Sequence, residues 1–172
     1  AFFNGEQFGL CHIGDSRGYL LRGDELTQLT HDHSWVQSLI DEGKITPQQA
    51  TVHPHRSLIL KVLNGRMDFE PDLEVLDARL GDRIMFCSDG LSGMIDDVAI
   101  RVILSNPDLG AAVEALAQAA NAAGGHDNIT IVAAEVVAQD DELDARSPLV
   151  VGSATEVTIP RTGELGLSRG GT

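Results

Sequence analysis

Three aspartates stand beside glycines at points where strand-like apolar runs begin or end. They occur in the frames Gly14-Asp15-Ser16-Arg17, Ser88-Asp89-Gly90 and Gly124-Gly125-His126-Asp127-Asn128. Glycine lets the backbone turn sharply and approach an ion closely, and carboxylate oxygens are the ligands that hard divalent cations prefer. The sequence has no Cys or His cluster with zinc spacing. The pattern therefore favours Mg²⁺ or Mn²⁺ over Zn²⁺.

Strands are expected in two parts of the chain. Asn4-Gly5 predicts a hairpin turn between residues 2–3 and 8–13, and Gly23-Asp24 predicts one between 18–22 and 25–29. The Gly14-Asp15 corner would join these hairpins. Two further strands are expected at 73–80 and 83–87, around a Gly81-Asp82 turn. The continuous apolar run 129–137 predicts a last strand that is buried on both faces.

Helix signals occupy separate stretches. Ser34 is a candidate N-cap for a helix ending near residue 43, and Thr46-Pro47 for a short one. Residues 91–104 have a helical apolar pattern. Asp108 would cap a helix over 109–123 that Gly124-Gly125 ends. Because strands and helices are grouped rather than alternating, we expect an α+β fold with helices outside an antiparallel sheet.

Bulk properties limit the class of protein. The 172 residues have a formal net charge of −14, which argues against nucleic-acid or anionic-membrane binding. No apolar run is long enough to span a membrane, and we expect no signal peptide in this stretch. Cys11 and Cys87 are expected to be buried, reduced thiols. Residues 139–172 are expected to form an acidic and polar linker or tail, mostly disordered.

The aspartate frames, taken together, resemble the motifs of the PPM-type, metal-dependent Ser/Thr protein phosphatases over residues 1–138. The quoted stretches are His12-Ile13-Gly14-Asp15-Ser16-Arg17-Gly18-Tyr19, Cys87-Ser88-Asp89-Gly90-Leu91-Ser92 and Gly124-Gly125-His126-Asp127-Asn128-Ile129-Thr130. The stretch Asp32-His33-Ser34 followed by Leu39-Ile40-Asp41-Glu42-Gly43 is most similar to the bacterial, actinobacterial-type branch. The resemblance implies an αββα sandwich of antiparallel sheets flanked by helices.

The resemblance also implies a reaction and a set of site residues. The activity would be hydrolysis of phosphoserine and phosphothreonine on proteins, with two Mn²⁺ or Mg²⁺ ions activating a water molecule. Asp89 and Asp127 would be the catalytic residues that bind this pair. Asp15 would hold a third ion. Ser57 would approach that third ion from a mobile flap formed by residues 35–60, and Asn128 would support the site by hydrogen bonds.

One part of the family pattern is missing. The family's first motif is an acidic Asp-Gly pair on an N-terminal strand, and the single Asp-Gly pair here is Asp89-Gly90, which already matches the later motif. We therefore expect a domain truncated at its N-terminus and inactive as an isolated chain. The alternative is a pseudophosphatase that binds phosphoproteins or regulates a partner. A stress-response phosphatase acting on an anti-sigma antagonist shares the fold and stays open as a third hypothesis.

The resemblance further implies phosphorylated proteins and Ser/Thr kinases as partners, a monomer, and a cytoplasmic location, with a parent protein that carries a membrane anchor beyond the linker.

Other residues near the motifs are interpreted as structural rather than catalytic. Arg17 is expected to form an ion pair or strand cap rather than to bind phosphate. His31 and His33 are interpreted as solvated residues of the flap hinge, and His126 as a loop residue.

Overall fold

Seven strands and five helices follow one another in the computed structural model, which describes residues 1–62 and 70–138. The strands are β1 (Phe2–Phe3), β2 (Gln7–His12), β3 (Arg17–Arg22), β4 (Glu25–Gln28), β5 (Asp72–Asp77), β6 (Arg83–Cys87) and β7 (Ile131–Glu135). The helices are α1 (Trp35–Asp41), α2 (Pro47–Thr51), α3 (Asp89–Ser92), α4 (Asp97–Leu104) and α5 (Leu109–Ala122). The predicted tail, 139–172, lies outside the described residues.

The strands form two antiparallel sheets. The first has the order β1-β2-β5 and the second β4-β3-β6-β7. Helices α3, α4 and α5 supply Leu91, Ile100, Leu104 and Leu116 to a buried cluster on one face of the second sheet. The expected α+β class, with antiparallel sheets and helices outside them as in the αββα sandwich, is confirmed.

Both predicted hairpins are present because their turns are specified locally. In the first, Gly5 has a φ of 101°, which glycine adopts without strain. The Asn4 side-chain oxygen accepts hydrogen bonds from the backbone N–H groups of Glu6 and Gln7, at 2.9 and 2.7 Å. The second hairpin pairs β3 with β4 around Gly23.

The connections after β2 and β5 cross from one sheet to the other. The Gly14-Asp15 corner leads from β2 in the first sheet to β3 in the second. The strands around Gly81 are also in different sheets, and β5 ends at Asp77 rather than at residue 80 as expected. Asp82 is buried in this connection, where its carboxylate accepts 2.8 and 2.7 Å hydrogen bonds from the Arg22 guanidinium.

The predicted caps of α1, α2 and α5 are confirmed, but the single helix predicted over 91–104 is wrong. Ser34, Thr46 and Asp108 each accept a hydrogen bond from a backbone N–H three residues later. The predicted helix is divided into α3 and α4, because the Asp96 side chain accepts from Ala99 N–H at 2.8 Å and begins a new helix.

Strand β7 differs from the expectation that 129–137 is buried on both faces. The regular strand covers Ile131–Glu135, and only one of its faces packs against the helices, through Ile131 and Ala133. Val132 is 61% exposed on the other face. A continuous apolar run can therefore form a strand that is packed on one face only, as far as the described residues show.

The two cysteines have opposite environments, so the expectation for Cys11 is wrong. Cys11 is exposed on β2, whereas Cys87 is 3% exposed on β6. Successive strand residues point to opposite faces, and Cys11 lies on the face of the first sheet that carries exposed Leu73 and Val75.

Within residues 1–62 and 70–138, none of the helices combines the length and apolar character that crossing a bilayer requires.

Selective thiol labelling should distinguish these environments. Burial raises the pKa of the Cys87 thiol to about 11, so little thiolate is available at neutral pH. We expect a colorimetric thiol reagent to modify Cys11 rapidly in the folded chain and Cys87 only after denaturation. Cys11→Ser should abolish the rapid phase. Rapid labelling of the folded Cys11→Ser chain would contradict the buried position of Cys87.

Candidate metal centre

Strand pairing brings the three aspartate frames to one end of the second sheet. Arg17, at the start of β3, is opposite Cys87 at the end of β6, and Cys87 is opposite Ile131 at the start of β7. Asp15 precedes the first of these positions, Asp89 follows the second, and Asp127 precedes the third. The tertiary structure thus gathers segments that are distant in sequence.

The Asp89 and Asp127 loops are joined by hydrogen bonds centred on Ser88. The Ser88 hydroxyl donates to the Asn128 carbonyl oxygen at 2.9 Å and accepts from Thr130 N–H at 3.1 Å. Ser88 N–H donates to the Thr130 carbonyl oxygen at 3.1 Å. Sequence reasoning missed this role of Ser88, although its place directly before Asp89 was a usable signal.

Gly90 allows these loops to lie unusually close together. A β-carbon at position 90 would lie 2.9 Å from the Asn128 carbonyl carbon, closer still to its oxygen, and 3.4 Å from Ile129 Cα. Real β-carbons do not approach backbone atoms this closely. The Asp-Gly sequence therefore has a steric reason here: the glycine admits the neighbouring loop beside the carboxylate.

Asp15 and Asp89 interact electrostatically. Asp15 is half-buried, and burial, followed by the negative charge of Asp89, raises the pKa of the Asp15 carboxyl. A divalent cation near these groups would compensate both effects. Asp127 is exposed, and its carboxylate accepts a 2.6 Å hydrogen bond from Asn128 N–H.

The predicted site residues do not complete an ion-binding cluster by themselves. Among residues 1–62 and 70–138, no three His, Cys, Asp or Glu side chains are placed so that they could hold one ion. The frames of Asp15, Asp89 and Asp127 share one end of the sheet, but each contributes a single carboxylate. Oxygen ligands of this kind fit Mg²⁺ or Mn²⁺ chemically, and further ligands are needed to fill a coordination shell.

Ser57 occupies a different setting. It is exposed in the segment that follows Pro54, where Leu58 N–H donates to the His55 carbonyl oxygen at 3.1 Å. The adjoining Leu58 carbonyl accepts from Trp35 N–H at 2.8 Å. In the part of the chain that the structure describes, no hydrogen bond joins Ser57 to the three aspartates. Its predicted role toward a third ion stays a prediction.

Arg17 is engaged by Asp32 rather than free to bind an anion. Its guanidinium donates to both Asp32 carboxylate oxygens, at 2.8 to 3.1 Å, and to the Tyr19 hydroxyl at 3.3 Å. The Tyr19 hydroxyl donates in turn to Asp97 at 3.0 Å. This network anchors the segment after Asp15, in agreement with the structural role expected for Arg17.

His33 is buried, so its interpretation as a solvated hinge residue is wrong. Burial, with the nearby Lys61 ammonium, lowers the pKa of the His33 imidazole. Its ring stacks on His12, with 5.1 Å between ring centroids. His31 follows the expectation: its side chain is 56% exposed and pairs with Asp41. His33 is buried because other segments pack against its ring, among them those that carry His12 and Lys61.

Known proteins are similar to this chain in sequence and in fold. No family model matches the chain. The Ser/Thr protein phosphatase PstP of Mycobacterium tuberculosis is 45% identical over 164 residues, which are 93% of this chain and 31% of PstP. A crystal structure of the PstP catalytic domain in complex with two manganese ions has a TM-score of 0.73 and 47% identity, over 79% of this chain and 56% of that one.

A second solved phosphatase is also similar to the chain in fold and in sequence. The PPM Ser-Thr phosphatase MsPP from Mycobacterium smegmatis, in complex with cacodylate, has a TM-score of 0.66 and 38% identity, over 73% of this chain and 54% of that one. The chain thus spans about a third of full-length PstP and a little more than half of each solved domain. By sequence, by fold and by the order of its aspartate motifs, the chain belongs to the PPM-type Ser/Thr protein phosphatase family.

Proposed function

We propose that this chain is the part of a metal-dependent phosphatase domain that supplies Asp89 and Asp127 to a dinuclear centre and Asp15 to a third ion. The reaction is hydrolysis of phosphoserine and phosphothreonine on proteins. The observation that carries the proposal is the convergence of the three aspartate frames at one end of the second sheet. Bound Mn²⁺ or Mg²⁺ would supply Lewis-acid activation of water and neutralise charge on the phosphoryl group.

The residues of this chain contribute positioning. Ser88 and Gly90 hold the Asp89 loop beside the Asp127 loop, and Arg17 anchors the chain that follows Asp15 through its ion pair with Asp32. The ligand that bridges the two ions is not among these residues, because the sequence contains a single Asp-Gly pair. We therefore propose that the 172-residue chain needs the remainder of the domain for turnover.

The proposed substrates are phosphorylated proteins, and Ser/Thr kinases are the proposed opposing enzymes. The net charge of −14 disfavours nucleic acid as a partner. We further propose a monomer in the cytoplasm; the cytoplasmic location fits two cysteines that form no disulfide within the described residues. Membrane anchorage of the parent protein, through a segment beyond residue 138, belongs to the same proposal.

The test is phosphate release from a phosphothreonine peptide by the longer natural polypeptide that contains this chain. We expect Mn²⁺-dependent turnover, lost by at least about a hundredfold in Asp89→Asn and Asp127→Asn, since each substitution removes a ligand charge at the reacting centre. The 172-residue chain alone should show no turnover. Asp24→Asn, in the turn between β3 and β4, is the matched control and should leave turnover unchanged.

Two other results would contradict the proposal. Turnover that survives both ligand substitutions would reject the site. Tight phosphopeptide binding by the longer polypeptide without any Mn²⁺-dependent hydrolysis would favour the pseudophosphatase. The observation behind that second function is that the family's first Asp-Gly motif has no match in this sequence.

A further inference from the structure

The corner that carries Asp15 is held by one residue from a separate segment. His33 N–H donates to the Gly14 carbonyl oxygen at 2.8 Å, and Gly14 N–H donates to His33 Nδ1 at 3.2 Å. Gly14 has a φ of 112°, a conformation in which other residues are strained. The residue before Asp15 is thus bound on both of its backbone polar groups by the same histidine.

This arrangement determines the tautomer of the His33 ring. An amide nitrogen can only donate, so Nδ1 must be the unprotonated acceptor for Gly14 N–H. The proton therefore resides on Nε2, which lies 3.0 Å from an oxygen of Asp72 and can donate to it. The Lys61 ammonium lies 3.2 Å from Nε2 and 3.8 Å from the other Asp72 oxygen. An ammonium can only donate, so it competes with Gly14 N–H for an unprotonated ring nitrogen. Lys61 has the Asp72 carboxylate as an alternative acceptor, and we therefore assign the acceptor position to Nδ1. In an imidazolium, Nδ1 would also carry a proton. Its N–H would then face Gly14 N–H, and the hydrogen bond to Gly14 would be lost.

We propose that His33 is a positioning residue for Asp15: through its paired bonds to Gly14 and its Nε2 bond to Asp72, it sets where the Asp15 carboxylate is presented. The consequence for metal binding rests on the proposed function, whereas the hold on Gly14 does not. His33 is itself 7% exposed, so water cannot easily replace it as the partner of Gly14 N–H.

His33 also connects this corner to the end of the expected flap. Its carbonyl oxygen accepts from Leu60 N–H at 2.7 Å, and the adjacent Ser34 forms an isolated antiparallel bridge with Ile59. The two segments that flank α1 and α2 therefore meet at His33. Displacement of residues 58–60 would act on the Asp15 corner through this one residue.

Nuclear magnetic resonance of the uniformly ¹⁵N-labelled 172-residue chain tests the proposal. We expect the His33 ring to show an unprotonated Nδ1 and a protonated Nε2. His33→Phe, which keeps a ring but removes the acceptor, should accelerate hydrogen exchange of the Gly14 amide by about tenfold or more, while the amide of Met85 in the core is unchanged. His33→Asn, whose side-chain oxygen can replace Nδ1, should restore much of the protection.

Mn²⁺-induced line broadening then separates the two proposals. In the unsubstituted chain Mn²⁺ should broaden the signals of Asp15 and Asp89; in His33→Phe the broadening at Asp15 should fall and that at Asp89 should persist. His31→Phe, at an exposed position two residues away, is the control and should change neither signal. If Mn²⁺ broadens neither aspartate in the unsubstituted chain, the ligand assignment fails, while Gly14 exchange still judges His33. Equal exchange rates for Gly14 in the unsubstituted and His33→Phe chains would overturn the positioning role.

Discussion

Replacement of Arg83 by methionine should lower the free energy of unfolding by about 3 kcal/mol or more, a large part of the total stability of a domain this size. The Arg83 guanidinium is nearly buried at the start of β6. It donates to the Leu104 carbonyl oxygen at 2.7 Å, to the Pro107 carbonyl at 3.0 Å and to the Asn106 carbonyl. Its Nε also donates to Glu135 at 2.6 Å.

The size of this effect follows from what Arg83 satisfies. The last carbonyl groups of a helix have no partner within the helix and carry a partial negative charge. Arg83 supplies a cation and several donors to the carbonyls at the end of α4 and just beyond it, at a place where water has little access. Methionine fills a similar volume and donates nothing, so these acceptors and Glu135 would lose their partner together.

Urea unfolding followed by circular dichroism measures the loss. Arg83→Lys keeps the charge but not the planar set of donors, so we expect an intermediate value. The control is Arg101→Leu on α4, the helix whose C-terminal end Arg83 contacts from β6. The Arg101 guanidinium makes a long 3.5 Å hydrogen bond to the Asp24 carbonyl at an exposed position. That substitution should change stability by less than about 1 kcal/mol. Equal effects of Arg83→Met and Arg101→Leu would reject the role given to Arg83.

Gly90→Ala is the second substitution for which we expect a large effect, a loss of about 2–3 kcal/mol in the free energy of unfolding. A methyl group at this position meets the backbone of Asn128, which cannot move aside as the end of a flexible side chain can. The two loops must separate, and the Ser88 hydrogen bonds to Asn128 and Thr130 must stretch or break. Asp89 and Asp127 would then no longer hold their relative positions.

Gly9→Ala provides the matched control for this steric argument. Gly9 is in β2, and the nearest atom to a β-carbon there is the Phe2 carbonyl oxygen, at an ordinary 3.9 Å. We expect the Gly9→Ala chain to unfold within about 1 kcal/mol of the parent chain. In calorimetric Mn²⁺ titrations Gly90→Ala should bind more weakly than Gly9→Ala. An unchanged Mn²⁺ isotherm for Gly90→Ala would show that loop contact and ion binding are independent.

Local signals in the sequence were sufficient for turns and helix ends. Ser34, Thr46 and Asp108 cap their helices as expected, and the Asn4-Gly5 turn forms the first hairpin. Each of these features depends on groups within three residues of one another, so the sequence contains the whole interaction. Asp96 is the exception among the caps, because the helical apolar pattern on both of its sides hid the boundary it makes.

Features that depend on distant partners were not predictable in the same way. Cys11 and Cys87 both lie in apolar runs, yet only Cys87 is on a strand face that helices cover. His33 has the neighbours of a polar turn, but contacts from Gly14, Lys61 and Asp72 bury and orient it. Burial is a property of what packs against a residue, and the sequence around that residue does not state it.

The sequence by itself determined the family and the candidate ligands: three carboxylates beside glycines, at strand ends, in the order typical of a PPM-type phosphatase. The tertiary structure decided how they are presented. Antiparallel pairing of β3, β6 and β7 places Asp15, Asp89 and Asp127 at one end of a sheet, and Gly90 and His33 adjust the two loops and the corner that carry them. The physical reason is that ligand identity is a property of single residues, whereas ligand position depends on hydrogen bonds and close contacts between segments far apart in the chain.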